Sequence, residues 1–316
     1  MSSPVSIYFG DALGAYGFGD GHPFGPDRIQ AFWTETTRRN LHKQVNILTP
    51  QRCNESDLSL FHTSEYIQKA KALSRTGAGF LDCGDTPAVK GIYESACAVV
   101  GSGLDGLNQV ISNHSPRVFV PIAGLHHARP DSAAGFCVFN DIGVLIHALR
   151  QRHGFRRIAY VDIDAHHGDG VFYAFESDPD LIFADIHEDG RYLYPGTGNI
   201  TETGKGDAKG TKLNMPAPPD SDDSFFHKVW PTVESFIGQA KPEIIIFQAG
   251  ADSIDGDPIT HMRFTPAAHR HATATLCKLA DKHCNGRIIA LGGGGYNRNN
   301  LALGWNSVVE AMIDAG

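Results

Sequence analysis

The sequence predicts an α/β fold in which an open parallel sheet is wrapped by helices on both faces. Three observations carry that expectation. Short β-branched runs alternate with helical patterns through the second half of the chain. The runs have the composition of strands buried on both faces, as a parallel sheet requires. No internal repeat and no Pro/Ser-rich linker interrupts the 316 residues, so they read as one domain.

Two early runs, at 5–9 and 44–48, look like strands. Five further strands are expected at 117–123 (RVFVPIA), 157–165 (RIAYVDIDA), 181–187 (LIFADIH), 243–252 (EIIIFQAGAD) and 287–296 (RIIALGGGGY). Between and after them the spacing predicts helices over 140–153, 222–239, 266–283 and 299–314.

Bulk composition narrows the class of function. Hydrophobic residues make up 41% and charged residues 20%, which allows a sizeable core and no disordered tail. No apolar run approaches the roughly 18 residues of a membrane span. The opening MSSPVSIYFG lacks the basic flank and apolar stretch of a secretory signal. The net charge of −8 argues against nucleic acid as a partner, because phosphate binding needs a basic face. The same charge suits a cationic substrate, though solubility alone also explains it. None of the six cysteines forms a C-x-x-C pair, and a chain this long needs no disulfide staples. Reduced cysteines in a cytoplasm are the expectation, with no membrane partner. The sequence sets no oligomeric state. The sixteen histidines, several in adjacent pairs, are the unusual feature.

In open α/β sheets ligands sit outside the carboxyl ends of the strands. Four of the expected strands end in chemically useful residues. The run at 117–123 leads into Gly124-Leu125-His126-His127, and the run at 157–165 into Asp162-Ile163-Asp164-Ala165-His166-His167-Gly168-Asp169. The run at 243–252 ends in Gly250-Ala251-Asp252, and the last ends in Gly292–Gly295 and Tyr296.

Asp164 and His166 stand two residues apart, so in an extended segment both point to one face. With Asp252 from another strand they make a set of two carboxylates and one imidazole. Three protein ligands leave positions open for water and substrate, which is the catalytic arrangement. Zn²⁺ suits the set, and Fe²⁺ or Co²⁺ also fit mixed nitrogen and oxygen donors. An isolated Asp-x-His triplet is usually a satisfied polar loop. Here it follows a strongly apolar strand and is joined by three other polar strand ends.

His126 and His127 cannot both face one ion from an extended segment, so a base role fits them better. Asp162 and Asp169 are spare carboxylates available to fix their tautomers. The four glycines at 292–295 lack the spacing of a phosphate loop, and they suit close approach of backbone to the site. Tyr296 directly after them could hydrogen-bond the oxyanion of a hydrated amide.

Taken together, the motifs GLHHA (124–128), GFCVFND (135–141), DIDAHHGDG (162–170), YPGTG (194–198), GADSIDGDP (250–258) and GGGGYN (292–297) resemble the histone deacetylase superfamily. HPFGPDR (22–28) also looks like the family's opening helix. GLHHA and LGGGGY are more similar to the class I and bacterial acetoin-utilisation branch than to the class II or polyamine-deacetylase branches. The resemblance covers nearly the whole chain and implies an arginase/deacetylase-like, three-layer α-β-α fold with about eight parallel strands.

For the site, the resemblance implies zinc on Asp164, His166 and Asp252, with His126 and His127 as paired bases backed by Asp162 and Asp169. It makes Tyr296 the group that polarises the acyl carbonyl. Gly135, Phe136, Tyr194 and Gly294 would line an acyl-lysine tunnel, with Asp85 at its rim and Arg28 at the base of an internal cavity. A structural K⁺ would sit near Asp162, Asp164, His166, Asp185 and Ile186, and a second near Phe175 and Leu181. Two departures stand out. Asp185 replaces a serine of class I enzymes, and Tyr194 replaces a phenylalanine.

The expected activity is hydrolysis of acyl-lysine or another acylated amine. An acetylpolyamine or small-amide hydrolase on the same scaffold is the alternative. A binuclear manganese ureohydrolase would need a second carboxylate where Ile254 stands, so one metal fits better than two. A non-catalytic acyl-amine sensor is disfavoured by the presence of every ligand and of Tyr296.

Overall fold

The computed structural model describes residues 4–19 and 21–316. Among them, eight strands form one sheet: β1 (Val5–Tyr8), β2 (Asn46–Leu48), β3 (Arg117–Val120), β4 (Ile158–Asp162), β5 (Leu181–Glu188), β6 (Lys212–Ala217), β7 (Ile244–Gln248) and β8 (Ile288–Leu291). Their order across the sheet is β2-β1-β3-β8-β7-β4-β5-β6, and every pairing is parallel. The four strands expected to end in functional residues, β3, β8, β7 and β4, are therefore consecutive neighbours. Late strands β7 and β8 fill the gap that the earlier chain left between β3 and β4.

The helices are α1 (Asp11–Gly14), α2 (Arg28–Arg38), α3 (Glu55–Leu58), α4 (Ser64–Thr76), α5 (Ile92–Ile111), α6 (Asp141–His153), α7 (Asp169–Ala174), α8 (Asp223–Ala240), α9 (Pro266–His283) and α10 (Arg298–Asp314). One layer packs α2, α8, α9 and α10 together, and another packs α4, α5 and α6, giving three layers with the sheet. Among the described residues no helix is long and apolar enough to cross a membrane.

Burial explains the strands that the sequence exposes most clearly. Every residue of β3, β4, β5, β7 and β8 is buried. Each such aliphatic side chain contributes about 1.5–3 kcal/mol relative to exposure. β6 has no counterpart among the expected runs. It is an edge strand carrying Lys212, Asn214 and Pro216, and its burial is only partial. Proline is tolerated there because one side of the strand has no partner to receive an N–H.

Caps fix the helices that were expected. The Asn140 side chain accepts from Gly143 N, so α6 begins one residue after the expected start. Thr265 caps α9, with Pro266 at the first helical position. Asn297 accepts from both Asn299 N and Asn300 N at the start of α10. One expectation is corrected. Residues 22–27 of HPFGPDR are not helical: α2 begins only at Arg28, the last residue of the motif, with Asp27 at its N-cap. Pro23 and Pro26 hold the preceding chain in turns. The long helix α5 was not anticipated, because Gly101, Gly103 and Gly106 weaken its propensity, yet most of it is buried.

Candidate metal centre

β4 ends at Asp162, so Asp164 and His166 lie beyond the strand and not on it. The parity argument for their convergence therefore fails, although Ile163 N still extends the ladder to Gln248 O at 3.1 Å. The turn that follows folds back on its own carboxylates. Asp162 Oδ1 accepts from Asp164 N at 3.0 Å, and Asp164 Oδ1 accepts from His166 N at 3.0 Å. Those two bonds bring the Asp164 carboxylate and the His166 ring together.

Asp252 arrives from a short 3-10 turn, Ala251–Ser253, after β7. Its Oδ1 accepts from Ala165 N at 2.9 Å, which locks the two strand ends to each other. His166 Nδ1 lies 3.1 Å from both Asp164 Oδ1 and Asp252 Oδ2. Ligand atoms of all three residues fall within 4.8 Å of one another, and all three are buried. Burial lowers the His166 pKa, but the two carboxylates outweigh it and hold the imidazole up at about 10. A ring nitrogen lying between two buried carboxylates marks a place that attracts positive charge. The geometry and the donor set both fit a divalent ion.

Glycine makes the approach possible. A Cβ at Gly294 would overlap the Asp252 carboxylate, and Gly294 N donates to Asp164 Oδ2 at 2.8 Å. On the opposite wall Gly135 has φ 52°, and a Cβ there would strike the His127 ring. Any side chain at either position would close the site.

Each histidine of the pair has its own carboxylate. His126 Nδ1 is 2.8 Å from Asp162 Oδ2, and His127 Nδ1 is 2.7 Å from Asp169 Oδ1. Their Nε2 atoms face each other at 3.1 Å. With both Nδ1 atoms donating to carboxylates, that contact is favourable when one Nε2 carries a proton and the other accepts it. Burial and the neighbouring His126 push His127 down to about 4, against the pull of Asp169.

A cavity of about 290 Å³ reaches His166 of this cluster and is lined by Asp85, His127, Gly135, Phe136, His166, Leu193, Tyr194, Ile259 and Tyr296. The Phe136 and Tyr296 rings lie 5.8 Å apart, and Tyr194 stands 5.1 Å from His127. Asp85 is exposed at the rim. Burial, then Asp252 and Asp164, hold the Tyr296 phenol well above its ordinary pKa, so it remains a donor. A smaller inner chamber takes in His126, Asp164, Gly293, Gly294 and Tyr296. Arg28, fully buried, donates to Gly295 O at 2.9 Å and Gly293 O at 2.6 Å behind this chamber, while its Nη1 has no partner.

Asp162 and Asp185 are register partners on β4 and β5, and both are completely buried. Asp185 Oδ2 accepts from Gly168 N at 2.9 Å, and its Oδ1 lies 2.7 Å from His187 Nδ1. Neither carboxylate forms an ion pair with Lys or Arg among the described residues. Two adjacent buried carboxylates of this kind suit a bound cation beside Ile186.

Three residues that hold the site were not assigned roles from the sequence. Asp141, in the first turn of α6, accepts from Gly124 N at 2.9 Å and Leu125 N at 2.7 Å, and so fixes the entry to the histidine pair. Gln248 Nε2 donates to Asp164 Oδ2 at 2.8 Å. Asp257 Oδ2 accepts from Tyr296 N at 2.7 Å, while its Oδ1 accepts from Ile259 N at 3.1 Å. Asp141 and Asp257 stand inside motifs quoted above, which is the only signal that could have found them.

Comparison with known proteins agrees with this architecture. The family model described as "Histone deacetylase domain" matches residues 22–312. The acetoin utilization protein AcuC of Bacillus subtilis is 36% identical over 308 residues, covering 94% of this chain and 78% of that protein. The histone deacetylase clr6 of Schizosaccharomyces pombe is 32% identical over 311 residues, covering 95% and 75%. The crystal structure of the HDA15 HD domain superposes with a TM-score of 0.90 at 24% identity, covering 100% of this chain and 90% of that one. That last likeness bears on the fold alone.

Proposed function

The chain belongs to the histone deacetylase family, and on that premise we propose that it is a metal-dependent deacetylase cleaving acyl-lysine or a related acylated amine to a carboxylate and a free amine. The observation that carries this reading is the buried cluster of Asp164, His166 and Asp252 at the foot of a cavity shared with His127 and Tyr296. We assign zinc to the cluster, with Fe²⁺ or Co²⁺ also suited to its donors. A bound ion there supplies Lewis acidity toward the acyl carbonyl and the attacking water.

The chain's own groups supply the proton traffic. His127, neutral at pH 7, accepts the proton of the attacking water, and the pair returns a proton to the leaving nitrogen. Asp162 and Asp169 hold the two rings in the tautomer with Nδ1 protonated. Tyr296 keeps its phenolic proton and donates to the developing oxyanion. Phe136 and Tyr194 flank the stem of the substrate, beside Gly135 and Gly294, and Asp85 at the rim accepts from its backbone. The unpartnered Nη1 of Arg28 offers a donor to the released carboxylate.

We also assign a monovalent cation, K⁺, to the pocket of Asp162, Asp185 and Ile186, next to Asp164 and His166. The partner is an acylated cationic amine, consistent with the net charge of −8, and not a nucleic acid or a membrane. Six free thiols agree with a cytoplasmic setting.

Asp252→Ala tests the assignment. The variant is expected to lose bound zinc by elemental analysis and to lose at least about 10³ of kcat/KM on an acetyl-lysine peptide. Retention of one zinc per chain would sink the ligand set. A panel of acyl-lysine peptides and acetylated polyamines, read on the zinc-loaded protein, ranks the substrates.

A further inference from the structure

At the outer edge of the sheet a lysine ammonium lies in a cage of oxygens. Lys212, the first residue of β6, is only 2% exposed. Its Nζ donates to Asp178 O at 2.8 Å, to Leu181 O at 2.7 Å and to Thr211 Oγ1 at 2.7 Å. An ammonium has three donors, and all three are used. None of the ion pairs among the described residues includes Lys212. The carboxylate that acts on it electrostatically, that of Asp178, is held by Arg150.

A buried ammonium without a carboxylate is costly unless its surroundings replace water. Here two main-chain carbonyls and a hydroxyl do so. Oxygen dipoles that converge in this way also form the surroundings that a hard monovalent cation seeks. The resemblance places a second K⁺ near Phe175 and Leu181, and the Leu181 carbonyl is one of the oxygens bound by Lys212. The residues present therefore do not fit a second ion.

We propose that Lys212 is a tethered internal cation that takes the place of a second monovalent ion, making this edge of the fold independent of K⁺. Burial pushes its pKa down to about 8, so at neutral pH the nitrogen still carries its third proton. The cage has a function to protect. The chain from Asp178 to Leu181 joins α7, which carries Asp169, to β5, which carries Asp185. Nζ pins that connection to β6 without drawing an ion from solution.

The test compares melting of the whole protein with Lys212→Ala in potassium chloride, ammonium chloride and choline chloride at equal ionic strength. The variant is expected to melt lower than the wild type in choline. Potassium or ammonium should then raise its Tm by roughly 3 °C or more beyond any rise seen in the wild type. A K⁺ site at Asp162 and Asp185 is common to both proteins and cancels in this difference, and the readout does not involve catalysis. If Lys212→Ala folds only when potassium or ammonium is present, that outcome also supports the proposal. Lys212→Met, which keeps most of the stem without the charge, then supplies the melting comparison. Equal ion increments in the wild type and both variants would overturn the proposal, as would wild-type stability of Lys212→Ala in choline.

Discussion

His126 and His127 are neighbours in the chain with matching carboxylate partners, yet they sit in different surroundings. The partner of His126 is Asp162, at the end of a central strand. That carboxylate also receives the Tyr160 hydroxyl and Asp164 N, and it abuts Asp185. The partner of His127 is Asp169, on the first turn of α7, with Arg129 at 3.7 Å. His126 lines only the inner chamber, where its Nε2 is 3.9 Å from Asp164 Oδ1. His127 lines both the chamber and the tunnel. Two rings with the same kind of partner thus differ in position. On the proposed reading, His127 is the ring placed to meet the proton of the attacking water, and His126 supports it from the inner chamber.

The largest effect should come from His127→Ala, with kcat falling by about 10³–10⁴ while metal content stays at the wild-type value. His126→Ala should retain clearly more activity. Equal losses from the two variants would erase the distinction. Tyr296→Phe comes next. Tyr296 lines the chamber and the tunnel alike, and on the proposed reading it serves the oxyanion and not the proton relay. Its kcat should fall by about 10²–10³ with hydroxamate affinity nearly unchanged. Near-full activity in that variant would remove Tyr296 from the chemistry. The smallest effect belongs to Asp169→Asn, which keeps a hydrogen-bond acceptor without the charge. A loss of about 10–100-fold with an altered pH–rate profile is expected. An unchanged profile would mean that Asp169 only packs against the His127 ring.

Much of this site was legible in the residues. Asp164, His166, Asp252 and Tyr296 followed from the rule that strand ends face the ligand, and the structure places the three strands they follow, β4, β7 and β8, side by side. The stated reason for Asp164 and His166 was wrong in detail, since a turn gathers them and not the strand pleat. Asp141, Gln248 and Asp257 were not legible as supports, because each acts by receiving or donating bonds across long stretches of chain. Nothing local distinguishes such a carboxylate or amide from a solvated one. β6 was hidden by its polar composition, and Lys212 looked like any lysine on an edge strand until the carbonyls around it were placed. Helix α5 was obscured by its glycines.

The insertion of β7 between β4 and β8 has a consequence for how the protein is made. His166 and Asp252 are separated by 86 residues, yet both belong to one cluster. During synthesis the first two donors, Asp164 and His166, emerge roughly 4–17 s before the third. Until β7 takes its place between β4 and β8, only two of the three donors of the cluster can be together. On the proposed metal assignment, tight loading has to wait until Asp252 has emerged and β7 has joined the sheet.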